Sequence, residues 1–212
     1  MLKRKFAKLA TMPTSRVGSL GKSQWQLSTH SCHKSRNHCL DRARPARTPY
    51  GKTDSRRRFL IPLDGKRYGI GQLAGDWKGE LYVVIYDKLV ARSASPDDVD
   101  GAGLQFAALT LDAKFHHGDW PIIGNRQDNL PDLPQPWFKV GVGGETHIEA
   151  RDRSVTRRAT STEEAGLRNR TVVAPVRIEN ALKALHGLAE WNPRFDDLHA
   201  AYALQSAKLV GG

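Results

Sequence analysis

Cysteine is scarce in this sequence: only Cys32 and Cys39 occur among its 212 residues. Two cysteines cannot form the disulfide framework of a small secreted domain, so we expect a protein of the reducing cytoplasm. Long apolar runs are scarce as well. The longest useful run, residues 81–86, is far shorter than the roughly 20 residues that a membrane-spanning helix needs. The sequence therefore predicts neither a disulfide-bonded scaffold nor a helical membrane protein.

Acidic residues are almost absent from the N-terminal part. The first 58 residues hold 15 of the 33 lysines and arginines, with only Asp41 and Asp54 as acids. Residues 59–212 are nearly neutral, with 18 bases against 20 acids. The N-terminal part also has few aromatic residues, so it cannot bury enough apolar surface to offset the entropy lost on ordering. We predict a disordered basic tail over residues 1–56 and one folded domain over residues 57–212.

Two motifs in the predicted tail resemble ligand sites but are incomplete. Residues 18–23 end like a phosphate-binding loop, yet Arg16 stands where the motif needs its first glycine, and no strand precedes it. Five possible metal ligands lack the second ligand pair that a zinc site requires. These five are His30, Cys32, His33, His38 and Cys39. We therefore expect no nucleotide, no metal and no other cofactor.

The pattern of apolar residues changes at Phe59 and becomes that of an antiparallel sheet. Asp64-Gly65 is a strong hairpin signal between two predicted strands. Alternation between apolar and polar residues predicts further strands with one buried face. The run at residues 81–86 offers apolar side chains to both faces and predicts a central strand. The predicted strands are residues 59–63, 67–74, 81–86, 109–115, 120–123, 138–142 and 146–150.

Helical spacing follows the strands. Ile178, Ala181, Leu182 and Leu185 recur at helical intervals, and Pro175 is suited to the first turn of that helix. A second helix is predicted to begin at Asp196 or Asp197 and to run through Tyr202. Strands followed by helices, without alternation, indicate an α+β fold. We expect a strongly bent antiparallel sheet of five to seven strands with one or two C-terminal helices.

A catalytic interpretation centres on His116, His117 and Asp119, since imidazoles beside a carboxylate can bind metal or transfer protons. Neighbouring residues of a strand, however, point to opposite faces, so the two histidines would not share one site. A solvated polar turn explains these residues better, because no converging partners are identified. We therefore expect no enzyme and retain a metal-dependent hydrolase at His116/His117/Asp119 only as an alternative.

Two features are candidates for binding another protein. Trp77 lies in a predicted turn between charged residues, where an exposed tryptophan would be an interface anchor. Asp97, Asp98 and Asp100 form an acidic loop, which is either solvated or docks to a basic partner through electrostatic attraction.

Several short motifs resemble those of the immunity protein 26 family of bacterial polymorphic toxin systems. Residues 58–65, Arg-Phe-Leu-Ile-Pro-Leu-Asp-Gly, and residues 68–72, Tyr-Gly-Ile-Gly-Gln, are similar to the family's opening hairpin. Residues 82–87 and 118–124 resemble its next strand and its later tryptophan segment. The resemblance extends over about residues 57–200. It implies an α+β protein of bacterial cytoplasm that binds a co-encoded toxin domain and holds it inactive.

Three functions are therefore ranked. The first is a stoichiometric toxin inhibitor, the second a module that binds nucleic acid through the basic tail, and the third the hydrolase. Nucleic acid is expected as a partner only through the tail. In the leading hypothesis, the folded domain presents a binding surface to the toxin and catalyses no reaction. A deep pocket lined by ionisable groups from distant segments would contradict it.

Overall fold

The computed structural model describes residues 56–211 and confirms an α+β fold with two C-terminal helices. The predicted tail, with its incomplete loop motif and its Cys/His cluster, lies outside the described residues apart from Arg56. The nucleic-acid alternative that depends on the tail stays a prediction, as does the boundary at residue 57. Among the described residues, no helix has the length and apolar character needed to cross a membrane.

Four strands form an antiparallel meander at the start of the described chain. Their bounds are β1 Arg57–Pro62, β2 Tyr68–Trp77, β3 Glu80–Val90 and β4 Leu104–Leu111. The β1–β2 turn forms as predicted at Asp64, whose carboxylate accepts hydrogen bonds from the backbone N–H groups of Lys66 and Arg67. These bonds to the Arg67 and Lys66 amides lower the pKa of Asp64 to about 2.

Two more strands join this meander. Strand β5, Ile122–Asn125, pairs antiparallel to β1, and strand β9, Val172–Val173, pairs parallel to β4. The main sheet therefore has six strands, in the order β5-β1-β2-β3-β4-β9. As predicted, β3 is central and buried on both faces. Val83 and Ile85 lie in one apolar cluster, whereas Tyr82 and Val84 lie in the other. The main sheet therefore has a core on each side.

The second predicted hairpin forms, but it does not join the main sheet. Strands β6 Trp137–Val142, β7 Glu145–Ala150 and β8 Thr156–Arg158 make a separate three-stranded antiparallel sheet. Gly143 and Gly144 have φ angles of 58° and 87°, the left-handed conformation that this tight β6–β7 turn needs. The predicted sheet of five to seven strands thus corresponds to the six-stranded main sheet, and the separate three-stranded sheet was not predicted.

The predicted strand over residues 109–115 is wrong at both ends. Strand β4 begins at Leu104 and ends at Leu111, and the short helix α1, Ala113–His116, follows it. The helical turn places Phe115 edge-on to the Phe59 ring, with 4.8 Å between the ring centroids. Packing on this aromatic cluster thus overrides the alternating pattern, since Phe115 joins the core from a helix.

The C-terminal helices are α3 Pro175–Leu185 and α4 Ala201–Gly211. The second begins later than predicted, because a 3-10 helix, Pro193–Leu198, occupies the expected start and is capped by Asn192. An unpredicted short helix, α2 Ser161–Gly166, lies between the small sheet and β9. Its first turn is closed by a capping box, in which Thr160 and Glu163 each accept a hydrogen bond from the other's backbone N–H.

An ion cluster around Arg170 joins the two sheets. The Arg170 guanidinium pairs with Glu80 at the start of β3 and with Glu149 of β7, the latter at 3.0 Å. It also donates to the carbonyl oxygens of Ala150 and Arg151. The side chains of Arg170, Glu80 and Glu149 are at most 12% exposed. A buried charged group is costly unless an opposite charge is close to it. Here the opposite charges come from both sheets, since Glu80 belongs to the main sheet and Glu149 to the small one.

Candidate partner-binding surfaces

The predicted acidic loop is a short 3-10 helix, Pro96–Val99, with its flanking residues. We call residues 95–100 the acidic turn. Ser95 precedes Pro96, which occupies the first helical position. The Asp98 carboxylate accepts a hydrogen bond from the Ser95 backbone N–H at 2.7 Å. The Asp98 carboxylate therefore stabilises the conformation of the turn.

Arg126 neutralises part of the acidic turn. Its guanidinium lies 2.8 Å from an oxygen of Asp97, 2.7 Å from one of Asp100 and 2.8 Å from one of Asp128. Hydrogen bonds to Asp128 and Asp100 raise the pKa of Arg126, and the bond from Arg126 lowers the pKa of Asp128. The side chains of Asp97 and Asp100 nevertheless remain 76% and 60% exposed. Three carboxylates against one guanidinium leave a negative, solvent-facing patch.

A network of buried polar groups supports the acidic turn on its protein-facing side. Arg58 is only 1% exposed, and its Nη1 donates to the Pro96 carbonyl oxygen at 2.6 Å. The Arg58 guanidinium lies 5.3 Å from the centre of the Tyr86 ring, and burial lowers the Arg58 pKa. The Tyr86 hydroxyl donates to Gln72 and accepts a bond from Asn129. Because its base is fixed by this network, the acidic turn is a preformed surface.

Trp77 lies at a different place on the sheet. It is the last residue of β2 rather than a turn residue, and it is half-buried. The Arg153 guanidinium lies 3.9 Å from the centre of its ring, and the Lys78 ammonium lies at 5.0 Å. Trp77 is five residues along β2 from Gln72, which is about 17 Å at roughly 3.3 Å per residue. The structure therefore does not bring Trp77 and the acidic turn into one compact site.

The candidate catalytic residues are exposed at the end of α1 and in the turn after it, so the predicted polar turn forms, whereas His116 is helical and not in a strand. His116 ends α1 and His117 follows it, with the two ring centres 5.3 Å apart. The Asp119 carboxylate pairs with Lys114 at 3.1 Å. This bond raises the Lys114 pKa and engages the carboxylate that the hydrolase interpretation needs. Within residues 56–211, no group of three or more His, Cys, Asp or Glu side chains could hold a metal ion.

A cleft of about 260 Å³ opens beside the outer edge of β4. Its walls come from β3, β4, β6, β9, α3, α4 and the 3-10 helix Pro193–Leu198, and from the loops between them. The apolar part includes Leu109, Phe138, Val173 and Leu198. The charged lining residues are Arg168, Arg177 and Asp197. We call this feature the arginine cleft.

The charged groups of the arginine cleft contact one another. The Asp197 carboxylate lies 3.7 Å from Arg168 Nη1 and 3.3 Å from Arg177 Nη2. The Arg168 guanidinium also lies 4.6 Å from the centre of the Tyr202 ring. Burial raises the pKa of Tyr202, whose hydroxyl donates to the Trp137 carbonyl at 2.6 Å. Two guanidinium groups against one carboxylate make a cationic site without an acid–base pair.

Comparison with known proteins finds a family match in the first part of the described chain. A family model described as immunity protein 26 matches residues 57–147. The predicted resemblance is confirmed for this segment. The match ends earlier than the predicted residue 200. No curated protein and no solved structure matches the chain significantly.

The segment that the family model matches includes the acidic turn and Trp77 but only part of the arginine cleft. Leu109 and Phe138 lie inside the matched residues, whereas Arg168, Arg177 and Asp197 lie beyond them. Sequence analysis missed the cleft, because its residues come from segments far apart and share no spacing. The cleft also departs in part from the expectation that no pocket gathers ionisable groups from distant segments, because Arg168, Arg177 and Asp197 line it. Their chemistry, however, favours binding over catalysis.

Proposed function

We propose that this chain is a bacterial, cytoplasmic immunity protein that binds a cognate polymorphic toxin and neutralises it by stoichiometric occlusion. The observation that carries the proposal is the family match over residues 57–147. Immunity proteins of this kind have a toxin as their general partner and are generally not enzymes. In this proposal the chain accordingly performs no catalysis and needs no cofactor.

The proposed mechanism uses a rigid surface to cover the toxin. Asp97 and Asp100 attract a basic face of the toxin, because their carboxylates project into solvent on a fixed turn. Asp98 acts indirectly by holding the turn through Ser95. An interface of about 1,200–2,000 Å² would be typical of a stable inhibitory complex. When the covered area includes the active site of the toxin, the bound chain prevents the toxin's substrate from entering.

Trp77 is the second proposed contact. Its ring is half-buried beneath Arg153, so the aromatic surface is held in one orientation. Ordered aromatic groups contribute strongly to interfaces, because little side-chain entropy is lost when they bind. Trp77 lies about 17 Å along β2 from Gln72, which accepts a hydrogen bond from Tyr86 in the network below the acidic turn. We propose that one interface of ordinary size includes both contacts.

The proposal predicts a toxin gene next to the gene of this chain, and co-expression of the two proteins tests it. The purified full-length chain should form a 1:1 complex with that toxin at micromolar concentration. Toxin activity should fall in proportion to added chain and vanish at equal molarity. Failure of the two proteins to associate at micromolar concentration, or residual toxin activity in the purified 1:1 complex, would contradict the proposal.

Paired variants map the proposed contacts. Asp97→Asn with Asp100→Asn should slow association about tenfold at low salt, and the difference should shrink as salt screens the attraction. Glu145→Gln with Glu190→Gln is the matched control, because it removes two exposed carboxylates elsewhere. Trp77→Ala should weaken the complex about tenfold through faster dissociation. If the Asp97/Asp100 double variant and the Glu145/Glu190 double variant associate with the toxin at equal rates, the acidic turn is not part of the interface.

A further inference from the structure

The arginine cleft is a site that the proposed contacts do not use. Its cationic groups lie on the part of the chain beyond the family match. We propose that the cleft receives an apolar side chain of the toxin that has a carboxylate next to it, such as a C-terminal leucine. This inference rests on the proposed function and adds a second, chemically defined anchor to it.

The size of the cleft decides what kind of ligand fits. A volume of about 260 Å³ is below the roughly 300–1,000 Å³ of typical cofactor and small-molecule sites. A single large side chain with its adjoining backbone is a better match. Such a side chain is the usual anchor of a protein interface, because it fills a pocket that already exists in the free protein.

The wall of the cleft selects an apolar group. Leu109, Phe138, Val173 and Leu198 contribute apolar side chains from four different elements. Ala107 and Ala108 line the same space with small side chains on the outer edge of β4. Transfer of an apolar side chain from water to such a wall is favourable in proportion to the area that is covered.

The charged groups select an anion beside that apolar side chain. Arg168 and Arg177 share one carboxylate, Asp197, so the lining retains one uncompensated positive charge. The Nε atom of Arg177 is buried and has no hydrogen-bond partner. A second carboxylate can accept bonds from guanidinium groups in the fork geometry that arginine favours. The geometry therefore selects a partner with an apolar side chain and a carboxylate together.

Blocked amino acids provide a direct probe of this chemistry. Amide NMR spectra of the full chain should shift at Ala107, Ala108, Asn169 and Thr171 when N-acetyl-leucine is added, with a Kd of about 1–10 mM. N-acetyl-leucinamide, which lacks the carboxylate, should bind at least fivefold more weakly. Equal binding of the acid and the amide, or shifts located elsewhere, would overturn the inference.

Variants separate the apolar and the charged contributions. Arg177→Gln should remove the preference for the acid over the amide, and Arg168→Gln provides a second variant with a more exposed side chain. Thr171→Trp should block the cleft to both probes, because Thr171 is an exposed lining residue. Thr156→Trp is the control, since Thr156 is exposed on β8 and does not line the cleft.

The toxin complex then distinguishes this inference from the proposed function. Arg177→Gln and Thr171→Trp should each weaken toxin binding at least tenfold, whereas Thr156→Trp should leave the affinity unchanged. If all three variants bind toxin as the unmodified chain does, the cleft inference fails and the proposed function stands. If the unmodified chain does not bind toxin, the proposed function fails, and a toxin anchor in the cleft fails with it.

Discussion

The two sheets of this protein are stabilised by different forces. The main sheet buries apolar side chains on both faces, with Phe59, Ile85 and Phe106 in one cluster and Leu60 and Val84 in the other. The three strands of the small sheet bury only Phe138, Ile148 and Glu149. Of these, Phe138 joins an apolar cluster of the main sheet, and paired charges around Arg170 attach the small sheet as well. The main sheet should therefore respond to lost volume, and the small sheet to lost charge.

The largest expected effect comes from the core of the main sheet. Phe59 is fully buried, stacks on Trp120 at 5.3 Å between ring centres and also contacts Phe115. Phe59→Ala should lower the free energy of unfolding by about 4 kcal/mol, because it removes apolar contact and leaves a cavity. Urea denaturation followed by tryptophan fluorescence measures the change. Val142→Ala on the small sheet, where Val142 is 48% exposed, should cost less than about 0.5 kcal/mol.

The ion cluster gives the second largest expected effect. Arg170→Met should lower the free energy of unfolding by about 3 kcal/mol, because Glu80 and Glu149 would lose their main buried partner. Urea denaturation at pH 7 is the measurement.

A combined variant tests whether charge is the reason. Arg170→Met together with Glu80→Gln and Glu149→Gln removes the uncompensated charges and should regain about half of the lost stability. A triple variant that is less stable than Arg170→Met would contradict the comparison, since it would mean that the carboxylates have sufficient partners without Arg170. Arg153 is the candidate for that role, as it lies 3.3 Å from Glu80 and 3.6 Å from Glu149.

The same contrast explains what the sequence could predict. Alternation and the apolar run at residues 81–86 correctly predict the central strand and the hairpins, because burial of apolar side chains leaves a periodic pattern. The attachment of the small sheet leaves no such pattern: Arg170 contacts Glu80 from 90 positions away. The arginine cleft was missed for the same reason. Helix α2, by contrast, has a visible signal in Thr160 and Glu163, since that spacing is typical of a capping box.

The smallest of the three stability effects comes from this capping box, which fastens α2 to the small sheet. Glu163 accepts a hydrogen bond from the Thr160 backbone N–H and pairs with Arg157 of β8 at 2.5 Å. Glu163→Gln keeps the shape of the side chain but removes its charge. It should lower the free energy of unfolding at pH 7 by about 1–2 kcal/mol, because charged hydrogen bonds are stronger than neutral ones. Glu190→Gln, on an exposed loop, is the control and should have little effect.

The pH dependence identifies the carboxylate of Glu163 as the cause. Hydrogen bonding from Arg157 lowers the pKa of Glu163 from 4.5 to about 2 in the folded protein. A carboxyl group whose pKa is lower in the folded state stabilises that state fully above its unfolded pKa and loses the contribution as the pH falls toward the folded pKa. The stability difference between the unmodified chain and Glu163→Gln should thus be constant from pH 7 to about pH 5.5 and shrink between pH 4.5 and 2. Urea denaturation at pH 7, 4.5 and 3 measures this difference. A stability difference between the two proteins that stays constant down to pH 3 would mean that Glu163→Gln acts through side-chain packing. Of the two polar attachments of the small sheet discussed above, only the one at Arg170 would then remain supported.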